Sequence, residues 1–287
     1  FQKITSVKKK NCIITGGTSG LGLNLVKKFV NNGFFVHVIA KDNIKINHLS
    51  DYFHKRDLKL FNFYQADLAE ANELSKSILQ LKNLDTIDVL INNAGALFLK
   101  KELNSKGLEK TFVVNYLSHF FLTVSLIDLI RKTRNSRIVN ISSWVHELAK
   151  LNLNDINFSE RYNGVVAYNN SKLMNILFSY KINRVYANSI NSYAIHPGWI
   201  NTNFGNYNQS APRILVKIAR FLFAKKPSNV ANEIYNLCTN DKYLNYSGKY
   251  LINNEVRKSS NLSYRLDLQD RLWEISLEMA NLKNEIK

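Results

Sequence analysis

The sequence predicts an α/β protein built on a single doubly wound parallel sheet with helices on both faces. Three observations carry this: short apolar runs alternate with stretches of helical apolar spacing, a glycine-rich turn follows the first run, and the remaining polar motifs fall where the runs end. At 287 residues the chain is long enough to bury a full core as one domain, 1–287, and no repeat or low-complexity linker divides it.

The first strand is read in Cys12-Ile13-Ile14, followed by Thr15-Gly16-Gly17-Thr18-Ser19-Gly20-Leu21-Gly22. Leu21, Leu25, Val26, Phe29 and Val30 then mark a helix. Glycines let the backbone turn sharply and approach a ligand, while a helix N-terminus offers free N–H groups and a positive dipole end to a pyrophosphate. The spacing is Gly-x-x-x-Gly-x-Gly rather than Gly-x-Gly-x-x-Gly, so alone it is also compatible with a plain turn.

A second strand covers residues 34–40 and delivers Lys41-Asp42. An acid about 20 residues beyond the glycines holds ribose hydroxyls, and a base accommodates a 2′-phosphate. Lys41 favours NADP(H), while Asp42 beside it keeps NAD(H) open. Further strands are expected at 58–64, running on to Asp67, and at 89–91, 137–141 and 190–195. Helices are expected at 70–81, 115–130 and 165–186. Ligands in such sheets sit at the carboxyl ends of the strands. Asn92-Asn93-Ala94-Gly95, Ser142-Ser143, Tyr168 with Lys172, and Pro197-Gly198 all lie at a strand end or on the following helix.

In this order the motifs resemble the short-chain dehydrogenase/reductase family from about Lys10 to the C-terminus. The segments around Asn115-Tyr116-Leu117-Ser118-His119, Ile141-Ser142-Ser143, Ala167-Tyr168, His196-Pro197-Gly198 and Ser247-Gly248-Lys249-Tyr250 are similar to its retinol-dehydrogenase-like branch. Thr15-Gly16-Gly17-Thr18 and Asn115-Tyr116 most resemble the X-linked dehydrogenase/reductase subgroup. The resemblance implies a Rossmann-like fold and a catalytic set of Asn115, Ser143, Tyr168 and Lys172. Asn115 would hold a water that links the lysine to solvent. The resemblance also implies cofactor contacts from Gly16, Thr18, Ser19, Gly20, Leu21, Gly22, Lys41, Asp67, Leu68, Asn93, Ala94, Gly95, Tyr168, Lys172, Pro197, Gly198, Ile200 and Thr202. Asn92, with Ala94 and Gly95, would lie under the adenosine side.

The chemistry asks for these residue types. A carbonyl that accepts a hydride develops negative charge on oxygen, so it needs donors aimed at that oxygen and then a proton. Ser143 and Tyr168 can supply both. A free tyrosine titrates near 10, and a neighbouring cation is expected to lower that value. Lys172, four residues on, shares a helix face with Tyr168. No metal site is expected.

The expected activity is hydride transfer between NADP(H) and a lipophilic alcohol and its aldehyde or ketone, of retinoid, isoprenoid or steroid type. A carbonyl reductase of small soluble carbonyls, or a non-catalytic cofactor-binding scaffold, are the alternatives. Cys12 and Cys238 read as buried small hydrophobes in a reducing compartment. The balance of 39 basic against 22 acidic residues, +17, suits anionic membranes or phosphorylated ligands, yet the chain is rich in Lys, Asn and Ile throughout, as codon bias would produce. No nucleic-acid motif accompanies the charge. Between about 205 and 226 lies an amphipathic, basic segment with Ile214, Leu215, Ile218, Phe221 and Leu222, which leaves open whether it meets a membrane or packs on the core; the family resemblance implies that this stretch after Pro197-Gly198 forms the substrate lid. The expected location is the cytoplasm or the cytoplasmic face of an intracellular membrane, with an upstream anchor and a homo-oligomer left open.

Overall fold

A computed structural model describes residues 9–56, 60–198 and 225–282. Eight strands form one sheet in the order β3-β2-β1-β4-β5-β6-β7-β8. These are β1 (Asn11–Thr15), β2 (Phe35–Ala40), β3 (Phe61–Gln65), β4 (Val89–Asn92), β5 (Ser136–Ile141), β6 (Ile190–His196), β7 (Lys249–Ile252) and β8 (Glu255–Arg257). Pairing is parallel from β3 through β7, and β8 alone runs antiparallel against β7. The sheet is thus the doubly wound parallel sheet expected, with one antiparallel strand at its edge. Asn253 and Asn254 between the two strands both take positive φ, 57° and 59°, the conformation of a tight hairpin turn that asparagine tolerates well.

Strand residues alternate between the two cores. Ile13 packs with Leu74 and Ile78 of α3 (Ala71–Leu81), Phe120 of α5 (Ser118–Ser125), Leu173 and Leu177 of α7 (Gly164–Tyr186), and Trp273 of α9 (Leu266–Met279). Its neighbours Cys12 and Ile14 face the opposite layer, with Phe29 of α1 (Gly20–Asn31), Phe53 of α2 (Asn43–His54) and Ile234 of α8 (Pro227–Thr239). This period of two, with both faces covered, is why the strands read as continuous apolar runs.

The helix expected over 115–130 is interrupted twice. A short α4 (Lys110–Phe112) passes through a π-helical turn, Val113–Leu117, into α5. Leu126, with φ −110° and ψ 7°, then breaks the helix before α6 (Ile127–Arg131). Such π turns are rare and are frequently found at functional sites. Asn115 sits in the middle of this one.

Between β1 and β4 the connections change direction along the sheet, leaving a crevice at the strand ends. The turn after β1, the Asn92–Gly95 segment at the end of β4, Ser142 and Ser143 after β5, and Pro197 and Gly198 after β6 all lie at the carboxyl ends of their strands.

Candidate active site

The crevice starts with the turn after β1. Gly16 and Gly20 take φ of +67° and +53°, which disfavour side chains. A Cβ on Gly22 would lie 2.2 Å from the Gly16 carbonyl oxygen, so α1 can enter this tightly only with glycine there. Ser19 caps α1 without a side-chain hydrogen bond to the helix, and no acid occupies the first turn. The first N–H groups of α1 therefore face the crevice with a positive field, which suits a pyrophosphate.

One threonine locks this turn to β4. Thr15 Oγ1 accepts from the backbone N–H groups of Asn93 and Ala94, each at 3.0 Å, and meets His119 Nε2 at 3.0 Å. Asn93 Nδ2 returns a bond to the Thr15 carbonyl at 2.8 Å. With two donors already on its oxygen, the hydroxyl gives its proton to Nε2. His119 Nδ1, 3.1 Å from the Asn115 carbonyl, then carries the ring proton. Burial, and after it the charge on Lys172, lowers the His119 pKa to about 3, so the ring stays neutral.

Asn92 departs from its expected place under the adenosine. Its amide points into the sheet and donates to Asn140 Oδ1 at 2.8 Å and Thr123 Oγ1 at 3.1 Å. Asn93, Ala94 and Gly95 are only half-buried along the crevice.

On the other side of the switch, Lys41 leaves β2 with an exposed side chain and pairs with Asp67 at 2.8 Å. Its hydrogen bond to Asp67 raises the lysine's pKa. Burial opposes ionisation of Asp67, but Lys41 and the Ala69 N–H outweigh it and hold the carboxyl below its ordinary value. Asp42 is committed elsewhere: it caps α2, accepting from the Lys45 N–H at 3.1 Å and pairing with the Lys45 ammonium.

The catalytic candidates converge at the ends of β4 and β5. Asn115, fully buried, accepts from the Ala96 N–H at 2.7 Å and donates to the Ala96 carbonyl at 2.9 Å and to Ser171 Oγ at 3.0 Å. A Cβ on Gly95 would be 3.5 Å from both Asn115 Oδ1 and Lys172 Nζ, which measures how closely these three residues approach. Lys172 is 3% exposed, and its Nζ donates to the Ile141 carbonyl at 3.2 Å while lying 5.3 Å from the centre of the Tyr168 ring.

Ser142 and Ser143 are divided by the strand's alternation. Ser142 is buried and donates to the Lys172 carbonyl at 2.7 Å, anchoring β5 to α7. Ser143 is half-buried, extended, and begins the 3-10 turn Trp144–Leu148.

Titration of the pair runs against expectation. Burial drives the Tyr168 pKa up, and the same burial lowers that of Lys172 to about 8. Desolvation penalises each charged form, and the ammonium donates to the Ile141 carbonyl. Tyr168 is therefore a phenol at neutral pH.

Pro197 and Gly198 follow β6 as expected, with Gly198 at φ +79°. Ile200, Thr202 and nearly all of the lid segment lie outside the described residues; Lys225 at its end pairs with Glu233 at 2.7 Å. No helix among the described residues is long and apolar enough to cross a membrane.

A model of the short chain dehydrogenase family matches residues 10–212. The chain belongs to this family. It is similar to the polyprenol dehydrogenase of Homo sapiens, 30% identical over 280 residues, covering 94% of this chain and 84% of that protein. It is similar also to retinol dehydrogenase 12 of Mus musculus, 26% identical over 282 residues, covering 96% and 88%. It is thus an NAD(P)-dependent oxidoreductase acting on CH–OH groups, in the retinol-dehydrogenase-like branch. The NADPH-bound carbonyl reductase from chicken fatty liver shares the fold with a TM-score of 0.66, at 16% identity over 88% of this chain and all of the other. A Caenorhabditis elegans short-chain dehydrogenase/reductase shares it at 0.69, with 20% identity over 88% and 94%.

Two residues of the site were not singled out from sequence. His119 and His146 are both wholly enclosed, and each takes a partner distant in the chain, the Thr15 hydroxyl for His119 and the Ser260 backbone N–H for His146. No local periodicity marks such contacts.

Proposed function

We propose that this protein interconverts a lipophilic alcohol and its aldehyde or ketone with NADP(H). The observation that carries the reading is the buried Lys172 beside Gly95 and Asn115, one helical turn from Tyr168 and behind an uncapped, glycine-lined helix N-terminus. A nicotinamide dinucleotide fits that cradle, with its pyrophosphate at α1 and its ribose near Lys172. When bound, it supplies or takes up the hydride.

Ser143 and Tyr168 act on the substrate oxygen. As the carbonyl carbon gains a hydride, its π bond gives way and charge builds on oxygen. That oxygen accepts from Ser143 Oγ–H and then takes the phenolic proton of Tyr168. The phenolate left behind is stabilised by the Lys172 ammonium, and the reverse reaction runs through the same atoms. Asn115 holds Ala96 and Ser171 in place and thereby fixes the turn opposite the lysine.

Two observations favour the finer choices. Asp42 is spent on capping α2, whereas Lys41 projects from the end of β2 with an exposed ammonium paired to Asp67, which favours a 2′-phosphate over free ribose hydroxyls. Leu99, Trp144, Leu148 and Val165 are exposed apolar residues on the segments that carry Gly95, Ser143 and Tyr168. They make a greasy mouth, in keeping with the polyprenol and retinol dehydrogenases among the relatives.

The test is cofactor oxidation with NADPH and NADH against retinal, a polyprenal, a steroid ketone and a short water-soluble aldehyde. NADPH-supported turnover of the long substrates is expected. Turnover of the short aldehyde alone, or equal use of both cofactors, overturns the corresponding part.

A further inference from the structure

His146 lies on the 3-10 turn after β5 and is entirely enclosed. Both of its ring nitrogens are used. Nδ1 is 2.7 Å from the carbonyl oxygen of Ser143, and Nε2 receives the backbone N–H of Ser260 at 3.1 Å. A carbonyl can only accept and an N–H can only donate, so the ring must carry its proton on Nδ1 and keep a lone pair on Nε2. The ring also packs on Tyr250 of β7, with centroids 4.8 Å apart.

Ser260 is itself held firmly. Its carbonyl accepts from the N–H and hydroxyl of Ser263, and the adjacent Ser259 Oγ pairs with Tyr180 of α7 at 2.8 Å. Helix α7 also bears Tyr168 and Lys172. The Ser143 carbonyl is thus referred through one imidazole, and then through the Ser259–Ser263 turn, to the helix that carries the other two reacting groups. Ser142, by its bond to the Lys172 carbonyl, fixes the same turn from the strand side.

We infer that His146 is a positioning residue: it holds the backbone of Ser143 so that the serine hydroxyl meets the substrate oxygen in register with Tyr168. The inference rests on the role proposed for Ser143. Positioning of this kind is worth a great deal, since a displacement of about 1 Å at a reacting group can cost 10²-fold in rate. The titratable and charged groups around the ring are Glu147 beside it, Tyr250 on β7 and His196 on β6, with Lys225 beyond. Burial lowers the pKa of His146, in keeping with a neutral ring whose nitrogens meet a backbone carbonyl and a backbone N–H.

Two conservative variants separate the two nitrogens. His146→Asn places an amide N–H near the Nδ1 position and so keeps a donor for the Ser143 carbonyl. His146→Gln reaches toward Ser260 and offers its amide oxygen there, without the donor to Ser143. Turnover of retinal with saturating NADPH is expected to stay within about threefold of normal in His146→Asn and to fall roughly 10–10²-fold in His146→Gln, with KM and the Kd for NADPH little changed. Both variants should lower the melting temperature by similar amounts. Equal losses of turnover that follow the melting temperatures would overturn the inference, because a merely structural histidine behaves so.

If the wild-type protein reduced none of the carbonyls offered, the functional reading would fail on that result, and the network would still be tested by NMR of the ¹⁵N-histidine-labelled protein. The expected spectrum has His146 protonated at Nδ1 and bare at Nε2 from pH 8 to below its ordinary titration point near 6.5. A ring protonated on Nε2, or one that titrates normally, would refute the arrangement.

Discussion

The junction of β1 with β4 and the junction of β5 with α7 both face the crevice, yet they treat polar groups in opposite ways. At the first, polarity is spent internally. Thr15, Asn93, Ala94 and His119 satisfy one another, and what remains for a ligand is the backbone N–H of the α1 N-terminus. At the second, ionisable side chains are buried at a cost. Lys172 has a carbonyl where a carboxylate would stabilise it better, and its pKa falls to about 8 while that of Tyr168 rises. A cofactor needs a preformed mould, whereas a reaction needs groups whose protonation is poised. The mould should therefore fail through stability and affinity, and the reactive end through rate.

The largest effect is expected at the reactive end. Tyr168→Phe removes the proton and should lower turnover by roughly 10²–10⁴-fold while NADPH binding, followed by titration, remains nearly intact. Near-normal turnover would refute the mechanism. The same end sets the pH profile. Lys172 loses its charge through about pH 8, so the reductive rate should decline above that pH as the phenolate loses its cation.

Acid tests the buried histidines. His119 has its pKa lowered to about 3, and His37 and His196 to about 4, all chiefly by burial. In the unfolded chain each titrates near 6.5, so between 6.5 and about 4 the unfolded state binds the extra protons. Stability is then full above 6.5 and falls with decreasing pH, at up to about 1.4 kcal/mol per pH unit for each histidine. Denaturant unfolding at pH 7, 6 and 5 measures this. A flat profile would mean that these rings are not buried as described.

Thr15→Val probes the mould. The substitution keeps the shape but strands the N–H groups of Asn93 and Ala94 and leaves His119 Nε2 with no hydrogen on offer. Unsatisfied buried groups cost about 1–3 kcal/mol each, so a lower denaturation midpoint and weaker cofactor binding are expected together. A fall in rate with neither of these would contradict the contrast between the two junctions.

What was legible in the sequence follows the same division. The glycine turn, the strand ends and the Tyr168–Lys172 spacing are local demands of backbone or of one helical turn, and they could be read directly. Asn115 could be named, but its π turn could not, because an inserted helical residue leaves the apolar spacing on either side intact. His119 and His146 escaped notice because their partners, Thr15 and Ser260, are 104 and 114 residues away. The upward shift of Tyr168 was missed for a related reason: burial arises from the whole fold, whereas the lysine is a neighbour in sequence. Ser142 and Ser143 were separable by resemblance, and the hydrogen bond from Ser142 to the Lys172 carbonyl supplies the physical reason.

The smallest effect belongs to Lys41, and it sharpens the contrast because this residue is a charge within the mould. Its side chain is 74% exposed and already paired with Asp67. A 2′-phosphate arriving there must draw the ammonium away from a carboxylate in a well-solvated setting, so the net gain is modest. Exposed ion pairs are worth about 0.2–1 kcal/mol, which corresponds to roughly 1.4- to fivefold in affinity. Lys41→Ala should therefore weaken NADPH binding by that factor, with NADH binding almost unchanged and the NADPH loss shrinking as salt is added. Equal losses for both cofactors would place the lysine in general support of the fold. A loss many times larger for NADPH would mean that Lys41 is desolvated on binding and that the neighbouring residues close over the phosphate.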